Sequence, residues 1–497
     1  MIITNKKYLD NRKSFRKIRF CHYMSFFERK ISQILEEKLR KSKKGGNIFF
    51  FLKFWIINKK PSCFILSAQA HKKGTRRQKG TKTRSLIFNF QLSIFNLKMV
   101  SLQNRSNNMN ISQTKYIAKT FLGLEPVAAE ELKGMGASEV QVLNRAVEFW
   151  GDKALLYKTN YCCRSILRIL QPIASFSFTS NEQFYKNVFN IPFERYLSKN
   201  GTFCMHSIIS NSIFDNSQYA SLLAKDALCD RFREKYDCRP SVDKQYPDIS
   251  IDIYISGDKC SISIDSSGES LHRRGYKTTR HPAALNEVLA AGLVLLSGWK
   301  ADCDLMDFMC GSATIPIEAA MYAVNMPAGY FRKDFGFMYW KDFDEKLWQS
   351  VQNDAKKSMR DFHFTVFGSD ISPSFIKNAR ENVKKMKLNH IVKLSIESFE
   401  DVQPERLPVH IIINPPYGER MKNENVENFY QSVGNKLKKS FVYSVAWVIT
   451  PNREAMKYFG LHPTKKIRVF NAALECTFYR FELYEGSKKE KHNKKGN

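Results

Sequence analysis

The feature that most constrains the fold is a short apolar run at residues 409–413 that ends in Asn414, Pro415 and Pro416. A run of this length, bounded by turn residues, is typical of a buried strand in a parallel sheet. Ligands of open α/β sheets bind outside the carboxyl ends of such strands. The pattern therefore predicts an α/β fold with a ligand site beside Asn414.

The residues that follow this strand suit a flat amino group. The side-chain oxygen of Asn414 and the backbone carbonyl of Pro415 can accept the two N–H bonds of an exocyclic amine, which localises the nitrogen lone pair toward an electrophile. The ring of Tyr417 can stack on the base that carries the amine. This pattern predicts N-methylation, and the alternative is an ordinary proline turn. The predicted catalytic residues are Asn414, Pro415, Pro416 and Tyr417.

A second strand, turn and helix are predicted within residues 304–320. The strand ends at Asp307, the turn contains Gly311, and an alanine-rich helix begins near Thr314. Glycine lets a ligand approach the backbone, and the free N–H groups at a helix start suit a carboxylate. The alternative interpretation is a plain strand-to-helix connection.

A third predicted strand ends at Asp370, followed by Ser372 as N-cap and Pro373 as the first helical residue. An acid at this corner can accept hydrogen bonds from both ribose hydroxyls of a nucleoside cofactor, or it can simply support the helix start. Dinucleotide binding is disfavoured, because its fingerprint needs three glycines and an acid about 20 residues later. Here the acid follows Gly311 by 59 residues.

At this point the chain resembles the THUMP-domain guanine-N2 RNA methyltransferases, over roughly residues 115–484. The resemblance depends on five segments, which are 271–276 (LHRRGY), 307–320, 335–337 (FGF, with Trp340 and Trp348), 414–420 (NPPYGER) and 474–476 (LEC). The family usually has proline where this chain has Phe308 and glycine where it has Ala313.

The resemblance implies S-adenosylmethionine as methyl donor. It implies that Asp307, Cys310 and Gly311 line the methionine end of the cofactor and that Asp370 contacts the ribose. Ser398 and Phe399 would lie near the adenine, and Asn414 would border both cofactor and base. It implies no metal.

Two further segments invite an RNA-binding interpretation. Arg273, Arg274 and Tyr276 combine basic and aromatic side chains, which suit phosphate contact and base stacking, although a solvated linker is the alternative. The aromatic insertion at residues 325–348 can cover the cofactor, help hold an extruded base, or form a hydrophobic plug.

Periodicity and resemblance together predict the domain order. A basic extension (1–110) precedes a ferredoxin-like module (111–170), a THUMP domain (171–270), a seven-stranded Rossmann-like class I methyltransferase domain (271–485) and a basic tail (486–497). In the ferredoxin-like module we expect a βαββα order, with the last helix reaching Arg168. In the methyltransferase domain we expect a helix from Pro282 to Gly298 and a closing antiparallel hairpin.

Charge and cysteine content restrict the classes of protein to which the chain can belong. Residues 1–108 hold 26 Lys and Arg against 4 Asp and Glu, and so supply most of the net charge of +31. This extension is interpreted as a basic arm, a targeting sequence, or translation from a misassigned start with Met109 as the initiator. The 11 scattered cysteines indicate a reducing compartment without a zinc site. No apolar run approaches ~18 residues, so no membrane span is expected, and we predict a cytoplasmic location.

The predicted function is methylation of the N2 amine of a guanine in large-subunit rRNA, with the base extruded from structured RNA. A tRNA guanine is the alternative substrate within RNA. The site chemistry alone also fits a DNA or protein methyltransferase. A different class remains open as well, a non-catalytic RNA-binding factor of ribosome assembly.

Overall fold

The computed structural model describes residues 113–277, 285–416 and 426–485. The predictions for the 1–110 extension and Met109, for Pro282, for Tyr417 and for the tail at 486–497 lie outside the described residues.

The first part of the described chain forms a ferredoxin-like module. Its elements are β1 (Thr114–Lys119), α1 (Glu125–Met135), β2 (Ser138–Leu143), β3 (Ala146–Gly151), α2 (Lys153–Cys162) and β4 (Arg168–Ser177). Gly136 ends α1 in a left-handed conformation, with φ of 107°. The predicted βαββα order is confirmed.

The prediction that the last helix of this module reaches Arg168 is wrong, because α2 ends at Cys162. The carboxylate of Glu131 on α1 accepts hydrogen bonds from the backbone N–H groups of Arg164 (3.0 Å) and Ser165 (2.9 Å). These bonds hold the chain in a turn, after which β4 begins at Arg168.

The next segment adds α3 (Asn181–Phe189), β5 (Thr202–Ser210), α4 (Ser217–Tyr236), β6 (Ser241–Val242), β7 (Ile249–Ser256) and β8 (Lys259–Asp265), with a 3-10 helix at Phe193–Arg195. Its strands continue the first sheet, in the order β2-β3-β1-β4-β8-β7-β5-β6. The predicted boundary at residue 170 falls inside β4, which pairs with both β1 and β8. The two N-terminal modules therefore share one sheet.

One face of this shared sheet is covered by α3 and α4. Phe184 and Phe232 on these helices pack against Ile251 and Ile253 on β7. Alternate side chains along β5 point the other way, and Ile208 on that face is exposed. An amphipathic sheet of this kind leaves one face open to a partner.

The remaining described residues form the second sheet and its helices. Its helices are α5 (Glu287–Ser297), α6 (Thr314–Ala323), α7 (Glu345–Lys357), α8 (Pro373–Lys385) and α9 (Val426–Ser440). Its strands are β9 (Leu305–Asp307), β10 (Val366–Asp370), β11 (Val392–Ile396), β12 (His410–Ile413), β13 (Val445–Thr450), β14 (Lys465–Asn471) and β15 (Leu474–Glu482). Two 3-10 helices occur at Gly336–Tyr339 and Ala455–Phe459.

The strand order in this second sheet is β11-β10-β9-β12-β13-β15-β14. The first five strands in this order, β11, β10, β9, β12 and β13, run parallel. Strand β15 is antiparallel to both β13 and β14. The predicted seven strands and closing hairpin are confirmed. Helix α5 begins later than predicted, at Glu287, because Asn286 caps it by accepting a 2.9 Å bond from the Val288 N–H.

The aromatic insertion forms a hydrophobic plug. Phe335, Phe337 and Trp348 are buried and pack against Tyr157 and Tyr161 of α2. These rings therefore join the second sheet's domain to the ferredoxin-like module, and they are not available to cover a cofactor. Across the described ranges, no helix is both long and apolar enough to cross a membrane.

Candidate active site

Three polar residues meet where neighbouring parallel strands end. Asp307 ends β9, Asp370 ends β10, and Asn414 directly follows β12. Strand β9 lies between the other two, paired to β10 at Gly368 and Asp307 and to β12 at Ile411 and Met306. The topology thus brings side chains that are far apart in sequence to one edge of the sheet, as the sequence predicts.

Asp307 is almost fully buried at this edge. Its Oδ1 accepts a 3.1 Å hydrogen bond from the Met309 N–H. Burial, reinforced by the nearby charge of Asp370, raises the pKa of Asp307 to about 8 even though the backbone hydrogen bond lowers it. Without a bound cation the carboxyl is therefore largely protonated at neutral pH.

Asp370 connects two turns at the same edge. Its Oδ2 accepts a 2.9 Å bond from the Gly311 N–H, and its Oδ1 accepts a 3.0 Å bond from the Ser372 N–H. A carboxylate offers about four acceptor positions, so both oxygens can still accept bonds from a ligand. The Gly311 N–H, however, is already occupied by Asp370.

Gly311 leaves room for a ligand. Its φ is +54°, a left-handed conformation that favours glycine, and a Cβ placed on it would meet nothing within 4 Å. The turn is therefore open on the side of the Gly311 Cα. This open backbone beside two carboxylates fits a nucleoside cofactor.

The two departures from the family pattern are accommodated by packing. Phe308 is buried and stacks on Phe441, with ring centroids 5.8 Å apart. Ala313 is buried in the main apolar core, where its backbone has φ of +62°. Cys310 is also buried, and burial raises the pKa of its thiol, so this group remains a neutral thiol.

Ser398 and Phe399 follow β11, the next strand outward from Asp370. The Ser398 hydroxyl accepts a 3.3 Å bond from the Glu400 N–H, and the Phe399 ring contacts Phe429 edge-on at 5.5 Å. Both side chains are partly exposed. Their position at the same sheet edge is consistent with the adenine contact, which stays a prediction.

Asn414 carries the most informative atom of the site. Its Oδ1 is buried and has no hydrogen-bond partner among the residues that the structure describes. Buried polar groups are nearly always paired, and leaving one unpaired costs about 1–3 kcal/mol. An acceptor held in this state at a cleft is suited to an external donor. Pro415 is buried beside it and Pro416 is partly exposed.

The RNA-binding prediction for the linker is wrong for two of its three residues. The side chains of Arg274 and Tyr276 are buried, with exposed fractions of 2% and 0%. Arg274 Nε and the Tyr276 hydroxyl contact Glu318 Oε1 at 3.4 and 3.2 Å. Arg273 is exposed but forms an ion pair with Glu269. Neither buried side chain can therefore reach RNA.

A large cleft of about 1420 Å³ runs from Asn414 to the strands of the N-terminal sheet. Its lining includes Lys244 and Tyr246 from the loop before β7 and Lys333 from the aromatic insertion. The sequence interpretation did not include these residues, because the loop has no periodicity and its exposure follows only from the fold. No cluster of three or more potential metal ligands occurs among the described residues.

Three family models match consecutive parts of the chain. Residues 115–170 match the RlmL ferredoxin-like domain, residues 178–265 the THUMP domain, and residues 274–480 the RMKL-like methyltransferase domain. A Synechocystis sp. protein named "Putative RNA methyltransferase slr0064" is 36% identical over 74% of this chain and 97% of its own length. The chain belongs to the RlmKL-like family of RNA methyltransferases.

Other members of the RlmKL-like family are longer. The "Ribosomal RNA large subunit methyltransferase K/L" of Syntrophotalea carbinolica is 34% identical over 75% of this chain, which spans 54% of that protein. The chain thus spans about half the length of the K/L enzymes it matches. The structure reported as "Crystal structure of SMU.472, a putative methyltransferase complexed with SAH" superposes with a TM-score of 0.69 at 27% identity, covering 76% of this chain and 99% of that one.

Membership in the RlmKL-like family makes this chain an RNA methyltransferase that uses S-adenosylmethionine. The residues at the sheet edge fit that cofactor, since carboxylates suit its hydroxyls and its positive charge, and the open turn at Gly311 leaves space for it.

Proposed function

We propose that this enzyme methylates the N2 amine of a guanine in large-subunit rRNA. The observation that carries the proposal is the buried Oδ1 of Asn414, which no described residue contacts by a hydrogen bond, at the edge where Asp307 and Asp370 also lie. An acceptor without a donor in the free protein is satisfied when an amine N–H enters the site. The K/L names of the relatives support rRNA as the substrate class.

Asp307, Cys310, Gly311 and Asp370 are the residues proposed to hold the cofactor, with Ser398 and Phe399 beside its adenine. The cofactor supplies an electrophilic methyl group on a sulfonium centre. Asp370 would accept bonds from the ribose hydroxyls while keeping its bonds to Gly311 and Ser372. Asp307 would become ionised beside the positive charge, because an opposite charge lowers the pKa of a carboxyl.

Asn414 and Pro415 are proposed to orient the guanine. The two carbonyl oxygens accept both N–H bonds of the amine, so that its lone pair points toward the methyl group. Tyr417, which lies outside the described residues, remains the predicted stacking partner of the base. No strong base is required before attack, since the amine proton becomes acidic only as the new bond forms, and orientation contributes most of the rate enhancement.

The test compares the full chain with its Asn414→Ala variant. Each is incubated with labelled S-adenosylmethionine and either unmodified large-subunit rRNA or a tRNA pool, and the RNA is digested to identify the methylated nucleoside. Loss of one positioned hydrogen-bonding group lowers kcat by roughly 100- to 1000-fold. Asn181→Ala, which alters an exposed asparagine at the first residue of α3, on the other sheet, serves as the matched control.

The free protein provides a second measurement. Because Oδ1 has no partner in the described part of the chain, Asn414→Ala removes an uncompensated polar group, and its Tm is expected to equal or exceed that of the wild type. N2-methylguanosine in rRNA that is lost in this variant supports the proposal. Labelled methylguanosine found in the tRNA pool, and not in rRNA, would instead identify tRNA as the substrate. Cofactor and RNA binding without any methyl transfer would favour the non-catalytic assembly factor.

A further inference from the structure

We infer that the loop at residues 243–248 is an RNA-binding element, in which Tyr246 stacks on an unpaired base near the target guanine. In this inference Lys244 and Lys333 contact the phosphates that flank that base from two sides of the cleft. The inference rests on the proposed function, because it takes RNA as the substrate whose target base reaches Asn414. It assigns the RNA contacts that the buried Arg274 and Tyr276 cannot make.

Tyr246 is presented to solvent by an ordered loop. Its side chain is 83% exposed, the largest fraction among the exposed large hydrophobic residues of the described chain. Asp243 Oδ1 accepts bonds from the N–H groups of Gln245 (2.8 Å) and Tyr246 (3.0 Å), which forms an Asx turn. The loop follows β6 and is fixed to the sheet by a 3.1 Å bond from the Asp243 N–H to the Phe203 carbonyl. The ring is thus held outward, and no ring or cation of the described residues contacts its face.

The cations of the cleft differ in whether their charge is already matched. Arg168 pairs with Asp265, Arg273 with Glu269 and Lys277 with Glu287. Arg332 is half-buried, and its guanidinium donates to backbone carbonyls, including those of Ser267 and Ser270.

Lys244 and Lys333 are exposed, and among the described residues neither forms an ion pair or hydrogen bond. They are therefore the cleft cations that are free to contact phosphate. Since Lys244 lies two residues from Tyr246 and Lys333 comes from a different domain, the two charges flank the cleft.

The size of the cleft favours a stretch of single-stranded RNA over an isolated nucleotide. Small-ligand pockets occupy roughly 300–1000 Å³, and this cleft, at about 1420 Å³, exceeds that range. Asn414 and the 243–248 loop line the same cleft but belong to different sheets. A base on Tyr246 is therefore a neighbour of the target base and not the target itself. Side-chain stacking requires an unpaired base, which excludes a continuous duplex at this position.

The first experiment separates RNA contact from chemistry. Tyr246→Ala, Tyr246→Phe and the wild-type chain are assayed for kcat and KM with unmodified large-subunit rRNA, and for the Kd of S-adenosylmethionine. Loss of base stacking raises KM for RNA by roughly 5- to 100-fold, while kcat and the cofactor Kd stay within about twofold. Tyr246→Phe keeps the ring and restores KM. Tyr443→Ala, an exposed tyrosine away from the cleft, is the control.

The second experiment tests the charges with a short labelled oligouridylate and an RNA duplex as probes. In the double variant Lys244→Ala/Lys333→Ala, the slope of log K against log salt for the oligouridylate becomes shallower by about 1.4, since each phosphate contact contributes about 0.7 for single strands. Substituting two exposed lysines outside the cleft, Lys300 and Lys346, leaves the slope unchanged.

The outcomes distinguish this inference from the proposed function. If the wild type methylates RNA and Tyr246→Ala has an unchanged KM, the loop inference is wrong and the proposed function stands. Equal loss of affinity in Tyr246→Phe and Tyr246→Ala, or tighter binding of the duplex than of the oligouridylate, also overturns it. If the wild type methylates no RNA but binds the oligouridylate through Tyr246, the proposed function fails and the binding element stands.

Discussion

Two regions of the chain contain side chains that the sequence predicts to bind ligands: the strand ends at Asp307, Asp370 and Asn414, and the linker at residues 271–277. In the structure the side chains of the two regions have different surroundings. At the strand ends the polar residues converge on one edge, and the Oδ1 of Asn414 accepts no hydrogen bond from any described residue. In the linker, two of the three residues that looked suited to RNA are buried and one is paired to a glutamate.

The difference arises from how strongly the local sequence determines where a side chain points. A buried parallel strand fixes where its carboxyl end lies, because the hydrogen bonds of the sheet align neighbouring strands. An irregular linker has no such period, so a basic or aromatic composition does not determine whether its side chains face water or the interior. Arg274 faces inward because Glu318 and the backbone carbonyls of Leu271 and Arg164 receive its guanidinium there.

The largest expected effect concerns stability and tests the structural interpretation of the linker. Arg274→Ala removes one partner of a buried ion pair and leaves Glu318 without it, so we expect the free energy of unfolding to fall by about 3–5 kcal/mol. Arg273→Ala alters an exposed pair and is expected to change it by less than about 1 kcal/mol. Urea denaturation of both full-length variants measures the difference.

If Arg274→Ala proved as stable as the wild type and bound RNA more weakly, Arg274 would act at the surface, and the contrast between linker and strand ends would disappear. Tyr276→Phe offers a milder check of the same cluster. It removes the hydroxyl that donates to Glu318 at 3.2 Å while it keeps the buried ring.

The second prediction concerns Asp307 and the pH dependence of stability. Its pKa of about 8 in the folded protein exceeds the ordinary value of 3.8, so folding takes up a proton between these two values. The contribution of the protonated carboxyl to stability is complete below pH 3.8. It falls by about 1.4 kcal/mol per pH unit between the two pKa values and is lost once the pH has risen through 8. Between pH 5 and pH 7 this amounts to about 3 kcal/mol.

Asp307→Asn preserves the shape and the acceptor for the Met309 N–H but does not titrate. Unfolding of the cofactor-free wild type and variant, followed from pH 5 to pH 7, should show a shallower decline in the variant. Parallel pH profiles in the two proteins would mean that Asp307 is ionised in the folded state and that the strand edge is more polar than its burial indicates.

The sequence predicted the second sheet better than the first. The segments 305–307, 366–370 and 409–414 begin with mainly apolar residues and end in Asp307, Asp370 and Asn414, so strands and site could be located before their packing was known. Strand β4 was missed because Gln171 and Pro172 interrupt its pattern, and only pairing with β1 and β8 stabilises it. Lys244 and Tyr246 were missed because their loop is defined by tertiary contacts.

The smallest expected effect is at Ala313, and it concerns whether the methyl group of this residue faces the cofactor turn or the core. The related family usually has glycine here, so this chain adds a methyl group beside the turn at Gly311, and that methyl group packs into the main apolar core. Ala313→Gly relieves about 1–2 kcal/mol of left-handed strain. It loses about 0.8 kcal/mol of buried methyl and about 0.4–1 kcal/mol through the freer unfolded chain. The net change in the free energy of unfolding should stay below about 1 kcal/mol.

Ala472 provides the matched control for this balance, since it has φ of +54° but is exposed. Ala472→Gly relieves similar strain without losing a buried methyl, so it should stabilise the protein by about 0.8 kcal/mol more than Ala313→Gly does. Because the Ala313 methyl faces the core, the Kd for S-adenosylmethionine should also remain within about twofold in Ala313→Gly. A tenfold gain in cofactor affinity would instead show that the methyl group faces the cofactor and not the apolar core.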